Sequence, residues 1–140
     1  ESVDEVTKLE TYYSFYDASA KKIDWNANED KQKKEQEFRY QLHRHQWMLP
    51  QAKAYRISKD EKYIQSWIEA YGSWIETFPY TPGTIFPPAG GSENDVDYQW
   101  KGLQVAERVL SQVDIMPYFI HSTNFTPEWL STSWLHLKKR

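Results

Sequence analysis

The stretch EFRYQLHRHQW, residues 37–47, sets two histidines and two arginines among aromatic side chains. Imidazole can ligate a metal, carry a proton or hydrogen-bond a hydroxyl, and guanidinium can pair with an acidic group. His43 and His45 are two positions apart, so on one continuous helix they point ~200° away from each other. They cannot then close on one metal. Helical ligands recur at i, i+3 or i+4, and no cysteine, aspartate or glutamate completes such a pair here. Neither a metal site nor a cofactor is expected. His45 lies on a stripe with Phe38, Leu42 and Leu49. It reads as a buried, hydrogen-bonded core residue, or as a cavity-lining group that meets substrate. Arg44 flanks the stripe and is expected to snorkel, to pair with a carboxylate or to contact an anionic ligand. Arg39 and His43 are expected to face solvent.

A second polar set surrounds Trp100. Helical spacing puts Leu103, Ala106, Val109, Leu110 and Val113 on one stripe, read as the buried one. Trp100, Gln104, Glu107, Arg108 and Ser111 share the opposite face. An indole among hydrogen-bonding groups suits a sugar ring, with apolar contact on the ring face and polar neighbours on the hydroxyls. The alternative is a surface tryptophan packed under the preceding loop. The candidate binding residues are therefore Arg44, His45, Trp100, Gln104 and Arg108. No catalytic residue is identified: no Ser-His-Asp order, zinc-protease motif or phosphate loop is present. PAGGSEN, residues 88–94, lacks the strand and the lysine of such a loop.

The elements that must position these residues read as helices. Residues 3–22 are expected to form a first helix. A second spans about 35–57, kinked at Pro50, which removes a backbone donor. The third covers 61–78, with Asp60 as a cap. It has one broad apolar arc (Ile64, Trp67, Ile68, Tyr71, Trp74, Ile75) and a polar outer side. The Pro/Gly-rich segment 79–95 reads as a long loop or flap, in which Glu93, Asn94 and Asp95 serve turns and caps or reach the cleft beside Trp100. A fourth helix runs from about Tyr98 to Ile120. A fifth opens with Thr126 as cap and Pro127 at the first helical position. No strand pattern of useful length appears. The expected class is all-α, with inner and outer helices alternating in hairpins, and a four-helix bundle as the competing architecture.

Composition narrows the partners. The chain has 140 residues, one domain's worth, and a formal net charge of −3, which gives no basic field for nucleic acid or an anionic membrane. It has no cysteine, so no disulfide and no thiolate metal site. Sixteen per cent of the residues are aromatic, including seven tryptophans. Such density suits wide helix–helix contacts or flat sugar rings.

The series LHRHQW…AYRISKDEKY…W, followed after the loop by YQWKGLQVAERV, resembles the N-terminal helical domain of the heparinase II/III family over roughly residues 12–132. Within the family it is most similar to heparan-sulfate lyases of Bacteroides type. The resemblance implies an incomplete α/α toroid followed by a β-sandwich domain, a periplasmic location, and β-elimination on an acidic polysaccharide such as heparan sulfate. The family's catalytic Asn, Tyr and His lie in later segments, and none is carried onto residues 1–140. The helices bearing Arg44 and His45, and Trp100 and Arg108, correspond to ones that line or support the cleft. The chain then reads as the N-terminal part of a larger lyase, catalytically silent by itself. A non-catalytic helical-repeat module binding carbohydrate or protein is the alternative, and a lyase for another uronate polymer is a third reading. The tail STSWLHLKKR, 131–140, departs from the family's expected continuation. An array of only five helices leaves an apolar edge uncovered, so self-association or marginal stability is expected.

Overall fold

The computed structural model describes residues 16–17, 19–27, 29–79 and 98–138. Two short strands, β1 (Tyr16–Asp17) and β2 (Lys22–Ile23), pair antiparallel with Tyr16 opposite Ile23. Six α-helices follow among the described residues: α1 (Glu29–Lys34), α2 (Gln36–Arg44), α3 (Leu49–Ser58), α4 (Lys62–Thr77), α5 (Gly102–Phe119) and α6 (Pro127–Lys138). Single 3-10 turns at Gln46–Met48 and Tyr98–Trp100 precede α3 and α5. The class is all-α. Of the expected 79–95 loop, all but Pro79 lies outside the described residues, and so do Glu93, Asn94 and Asp95.

The expected first helix does not reach its end. Residues 3–15 lie outside the described set, and 16–23 form the hairpin instead. Its turn is organised by Asp17, whose Oδ1 accepts from the Ser19 and Ala20 amides at 2.9 and 3.1 Å and from the Ser19 hydroxyl at 2.6 Å. A carboxylate serving the amides just after it offers the backbone an alternative to helix.

Two helical hairpins make the body. α3 and α4 pack against each other, as do α3 and α5, and α2 and α5; α6 lies on α4. Lys59, with φ 54°, turns the chain out of α3, and Asp60 Oδ1 accepts the Lys62 amide at 3.0 Å, the expected capping role. α4 follows its sequence reading. Ile64, Trp67, Ala70, Tyr71 and Trp74 are completely buried, while Gln65, Glu69 and Glu76 face out. Trp67 stacks on Phe119 (5.1 Å) and Phe125 (5.8 Å) and meets the Trp129 edge at 5.5 Å. α6 starts as expected, with Thr126 Oγ1 accepting the Trp129 amide at 3.1 Å. A clasp ties the two hairpins together: the Glu61 carboxylate accepts from Ser122 Oγ (2.6 Å), Asn124 Nδ2 (2.9 Å) and the Tyr55 hydroxyl (3.3 Å). The Ser122 bond first, then that from Asn124, hold its pKa below the usual glutamate range.

The structure corrects two helical expectations. The second helix breaks at His45 (φ 65°, ψ 8°), not at Pro50. Pro50 sits in the first turn of α3, where its missing N–H costs no hydrogen bond. The fourth helix is rotated by about half a turn from its expected setting. Leu103, Leu110 and Val113 are exposed, and its buried residues are Gln104, Arg108, Ser111, Gln112, Ile115, Met116 and Phe119.

Candidate functional site

The rotation of α5 builds a polar interior against the tryptophan face of α4. Gln112, fully buried, is its hub. Its Oε1 accepts from Trp67 Nε1 at 2.9 Å, and its Nε2 lies 2.8 Å from His45 Nδ1 and 3.4 Å from Met48 Sδ. An indole nitrogen only donates, so the Gln112 oxygen is fixed towards Trp67 and its amide N–H towards His45. His45 Nδ1 is then the acceptor, and the His45 proton resides on Nε2. The same logic applies one step away, where Trp74 Nε1 donates to His43 Nδ1 at 2.9 Å. His43 likewise carries its proton on Nε2.

The break at His45 is what brings the two histidines together. On an unbroken helix they would diverge. The left-handed residue at 45 turns both inward, to 6.2 Å and 4.9 Å from the Trp74 ring. Both are fully buried, so His43 is interior and the expectation that it faces solvent is overturned. Burial, the nearby Arg108 guanidinium and then Arg39 hold the pKa of His43 well below the usual histidine range. Burial, Arg108, His43 and His136 do the same for His45. Both imidazoles are therefore neutral at pH 7. Arg39 is also interior. Its Nε donates to the Gln32 carbonyl at 3.1 Å and closes the end of α1.

Arg108 is 1% exposed. Its guanidinium lies over the Trp74 ring at 4.2 Å and near the Trp100 ring at 5.5 Å, and one nitrogen donates to the carbonyls of His43 (2.9 Å) and Gln99 (3.1 Å). A buried cation is tolerable when aromatic faces and carbonyls replace its water. Trp100 is itself buried, at 8% exposure, and meets Trp74 at 5.8 Å and His136 at 6.2 Å. Protein groups occupy the surroundings expected of a sugar platform. Arg44 bridges Glu37 Oε1 (2.9 Å) and Gln104 Oε1 (3.2 Å), the carboxylate pairing expected, with 12% of its side chain exposed. Beside it Gln46 Nε2 donates to Glu107 Oε2 at 2.8 Å.

The five residues singled out from sequence thus belong to one α2–α5 seam. Gln104, His45 and Arg108 are interior, Trp100 nearly so, and Arg44 marks the rim. Sequence reasoning missed Gln112, Trp67, Trp74 and His43 as members. The recurrence of Gln104, Arg108, Ser111 and Gln112 along one face of α5 is the signal that could have found them. Among the described residues no group of three His, Cys, Asp or Glu is placed to hold a metal ion, and no helix is long and apolar enough to cross a membrane.

An open groove of about 820 Å³ runs on the other side of α4, between it and the hairpin. Four carboxylates (Asp17, Asp24, Glu69 and Glu76) line it against two lysines, Lys21 and Lys22. That balance disfavours a polyanion there.

Comparison with known proteins places this seam in a family. The model for the heparinase II/III N-terminus matches residues 3–140, a span that takes in the 131–140 tail. A heparin-sulfate lyase of Bacteroides thetaiotaomicron is 54% identical over 96 residues, covering 69% of this chain and 12% of the relative. A heparin-sulfate lyase of Bacteroides stercoris is 37% identical over 105 residues, covering 70% of this chain and 16% of the relative. A crystal structure of heparinase III superposes with a TM-score of 0.57 at 50% identity, covering 71% of this chain and 14% of that one. The chain spans no more than 16% of the length of these relatives. By the match of nearly its whole length, this chain belongs to the heparinase II/III family.

Proposed function

We propose that this chain is the N-terminal segment of a heparan-sulfate lyase, an arc of an α/α toroid that forms part of the wall of the substrate cleft. The single observation that carries the reading is the 54% identity to a heparin-sulfate lyase over 96 residues. That stretch is long enough to hold most of the α2–α5 seam's framework. In the reaction, a base removes the C5 proton of a uronate whose carboxylate charge has been neutralised. The C4–O bond then breaks, a C4–C5 double bond forms, and an acid protonates the departing oxygen. No residue of this chain takes those roles, and by itself it is catalytically silent. Its part is rigidity. Arg108, Gln112 and the two neutral histidines lock α2, α4 and α5 into one register, and Trp100 and Gln104 extend the lock towards the rim. Arg44, the member with side-chain exposure, is the one we assign to substrate contact. The periplasm is the compartment that fits a polymer met outside the cytoplasm.

The test is a chimera in which the matching segment of the B. thetaiotaomicron lyase is replaced by this one, with the unsaturated uronate product followed by ultraviolet absorbance. The chimera is expected to turn over heparan sulfate, while the isolated 140-residue chain yields no product. A folded but inactive chimera, or robust turnover by the isolated chain, would contradict the proposal.

A further inference from the structure

The guanidinium of Arg44 is already engaged at the rim. Its Nη1 donates to Glu37 Oε1 at 2.9 Å and its Nη2 to Gln104 Oε1 at 3.2 Å. The two acceptors differ in kind. Gln104 is neutral, 3% exposed and carried by α5, so it fixes the guanidinium from the inside. Glu37 is charged, and its side chain is 68% exposed against 12% for Arg44, so its carboxylate stands on the solvent side. The same Glu37 oxygen accepts from Gln41 Nε2 at 3.0 Å. Positions 37, 41 and 44 are spaced i, i+4 and i+7, so one face of α2 carries all three. The Arg44 Nε–H is buried without a protein acceptor, so the pairing of this cation is incomplete. The nearby carboxylate of Glu107 is taken by Gln46, which leaves Glu37 as the carboxylate on Arg44 among the described residues.

We propose that Glu37 is a built-in competitor for Arg44: its carboxylate holds the position that an oxyanion of the polysaccharide takes, and it swings aside when substrate binds. The proposal rests on the assignment of Arg44 to substrate contact. A uronate carboxylate and a sulfate ester offer a guanidinium the same chemistry, oxygens that accept its N–H bonds. Glu37 offers it too. An ion pair with so exposed a partner is weak and screened by salt, so an incoming anion displaces it. The Gln104 bond remains and keeps the cation aimed, and Gln41 gives the departing carboxylate a donor to keep. The effect is a threshold: an anion binds Arg44 only where it outcompetes the resident carboxylate.

The experiment follows binding of a fluorescently labelled heparan-sulfate oligosaccharide to the 140-residue chain by anisotropy, beside three variants. Glu37→Gln keeps the shape and removes the charge, and is expected to tighten binding about two- to fivefold, the worth of an exposed ion pair. Arg44→Gln is expected to weaken binding. Glu37→Gln added to Arg44→Gln should change nothing further, because the cation competed for is gone. The same backbone stripped of sulfate names the group: a gain that persists assigns the uronate carboxylate, and a gain that vanishes assigns the sulfate. Glu37 also lies in the first turn of α2, where a carboxylate complements the helix dipole. If that were its whole role, Glu37→Gln would lower the melting temperature and leave binding as it was. That result, or a gain that survives in the Arg44→Gln background as a general charge effect, would overturn the competitor alone. Equal binding by the parent and Arg44→Gln, or no binding by the parent, would overturn it together with the substrate role of Arg44.

Discussion

Replacing Gln112 by leucine probes the polar interior at its hub. The side chain is fully buried and serves Trp67 Nε1 at 2.9 Å and His45 Nδ1 at 2.8 Å. Leucine has nearly the same volume, so no large cavity opens. It leaves an indole N–H and an imidazole lone pair buried without partners. Each orphan costs about 1–3 kcal/mol, about 2–6 together. Burying leucine instead of an amide returns about 1–3 kcal/mol. The expected net loss is about 1–3 kcal/mol. Urea unfolding followed by tryptophan fluorescence measures it, with the midpoint falling and the slope unchanged. Trp67→Phe supplies a control. In the double variant the donor and its acceptor are both gone, so the combined loss should fall short of the sum of the single losses by about 1 kcal/mol or more. A loss below about 1 kcal/mol for Gln112→Leu, or strict additivity with Trp67→Phe, would refute the assignment of Gln112 as the hub.

Further predictions concern acidity and capping. His43 and His45 have native pKa values held well below the histidine value of 6.5. The unfolded chain therefore binds protons that the folded one refuses. Stability should be full above about pH 6.5 and should fall as pH drops below it, by up to about 1.4 kcal/mol per pH unit for each histidine, until the native values are reached. Glu61 has the opposite charge type but the same direction of shift, and its contribution is lost only below its ordinary value of 4.5. Urea midpoints across pH 7.5 to 4 should thus decline in two stages, and a flat profile between pH 6.5 and 5 would contradict the buried neutral imidazoles. Thr126→Ala removes the cap on the Trp129 amide and should cost about 1 kcal/mol, readable as a lowered melting temperature.

The legible elements were those whose residues decide their own environment. α4 is amphipathic in the ordinary sense, and its tryptophans went inside as read. Thr126 and Asp60 cap amides three and two residues away. Of the two readings left open for His45, core residue or cavity-lining group, the structure shows it buried and bonded to Gln112. α5 was misread because the usual rule sends leucine in and glutamine or arginine out. Here the interior is already lined by Trp67, Trp74, His43 and His45, whose donors and acceptors need polar partners. Those partners come from positions 45 to 67 residues distant, which no local period reveals. Arg39 was hidden by a nearer cause: it caps α1 from α2, and no helix was expected at 29–34 for it to cap. Pro50 misled for a local reason: a proline within a long helical pattern marks a kink or a new first turn with equal sense, and only the left-handed His45 decides between them.

Nitrogen-detected NMR of the imidazoles tests the central claim most directly, since the whole arrangement of α2, α4 and α5 requires His43 and His45 to accept at Nδ1. Two-bond nitrogen–proton spectra should show both rings neutral and protonated at Nε2 at pH 7, and still so as the pH passes below the ordinary histidine value of 6.5. Either ring titrating near pH 6.5, or carrying its proton on Nδ1, would contradict the account.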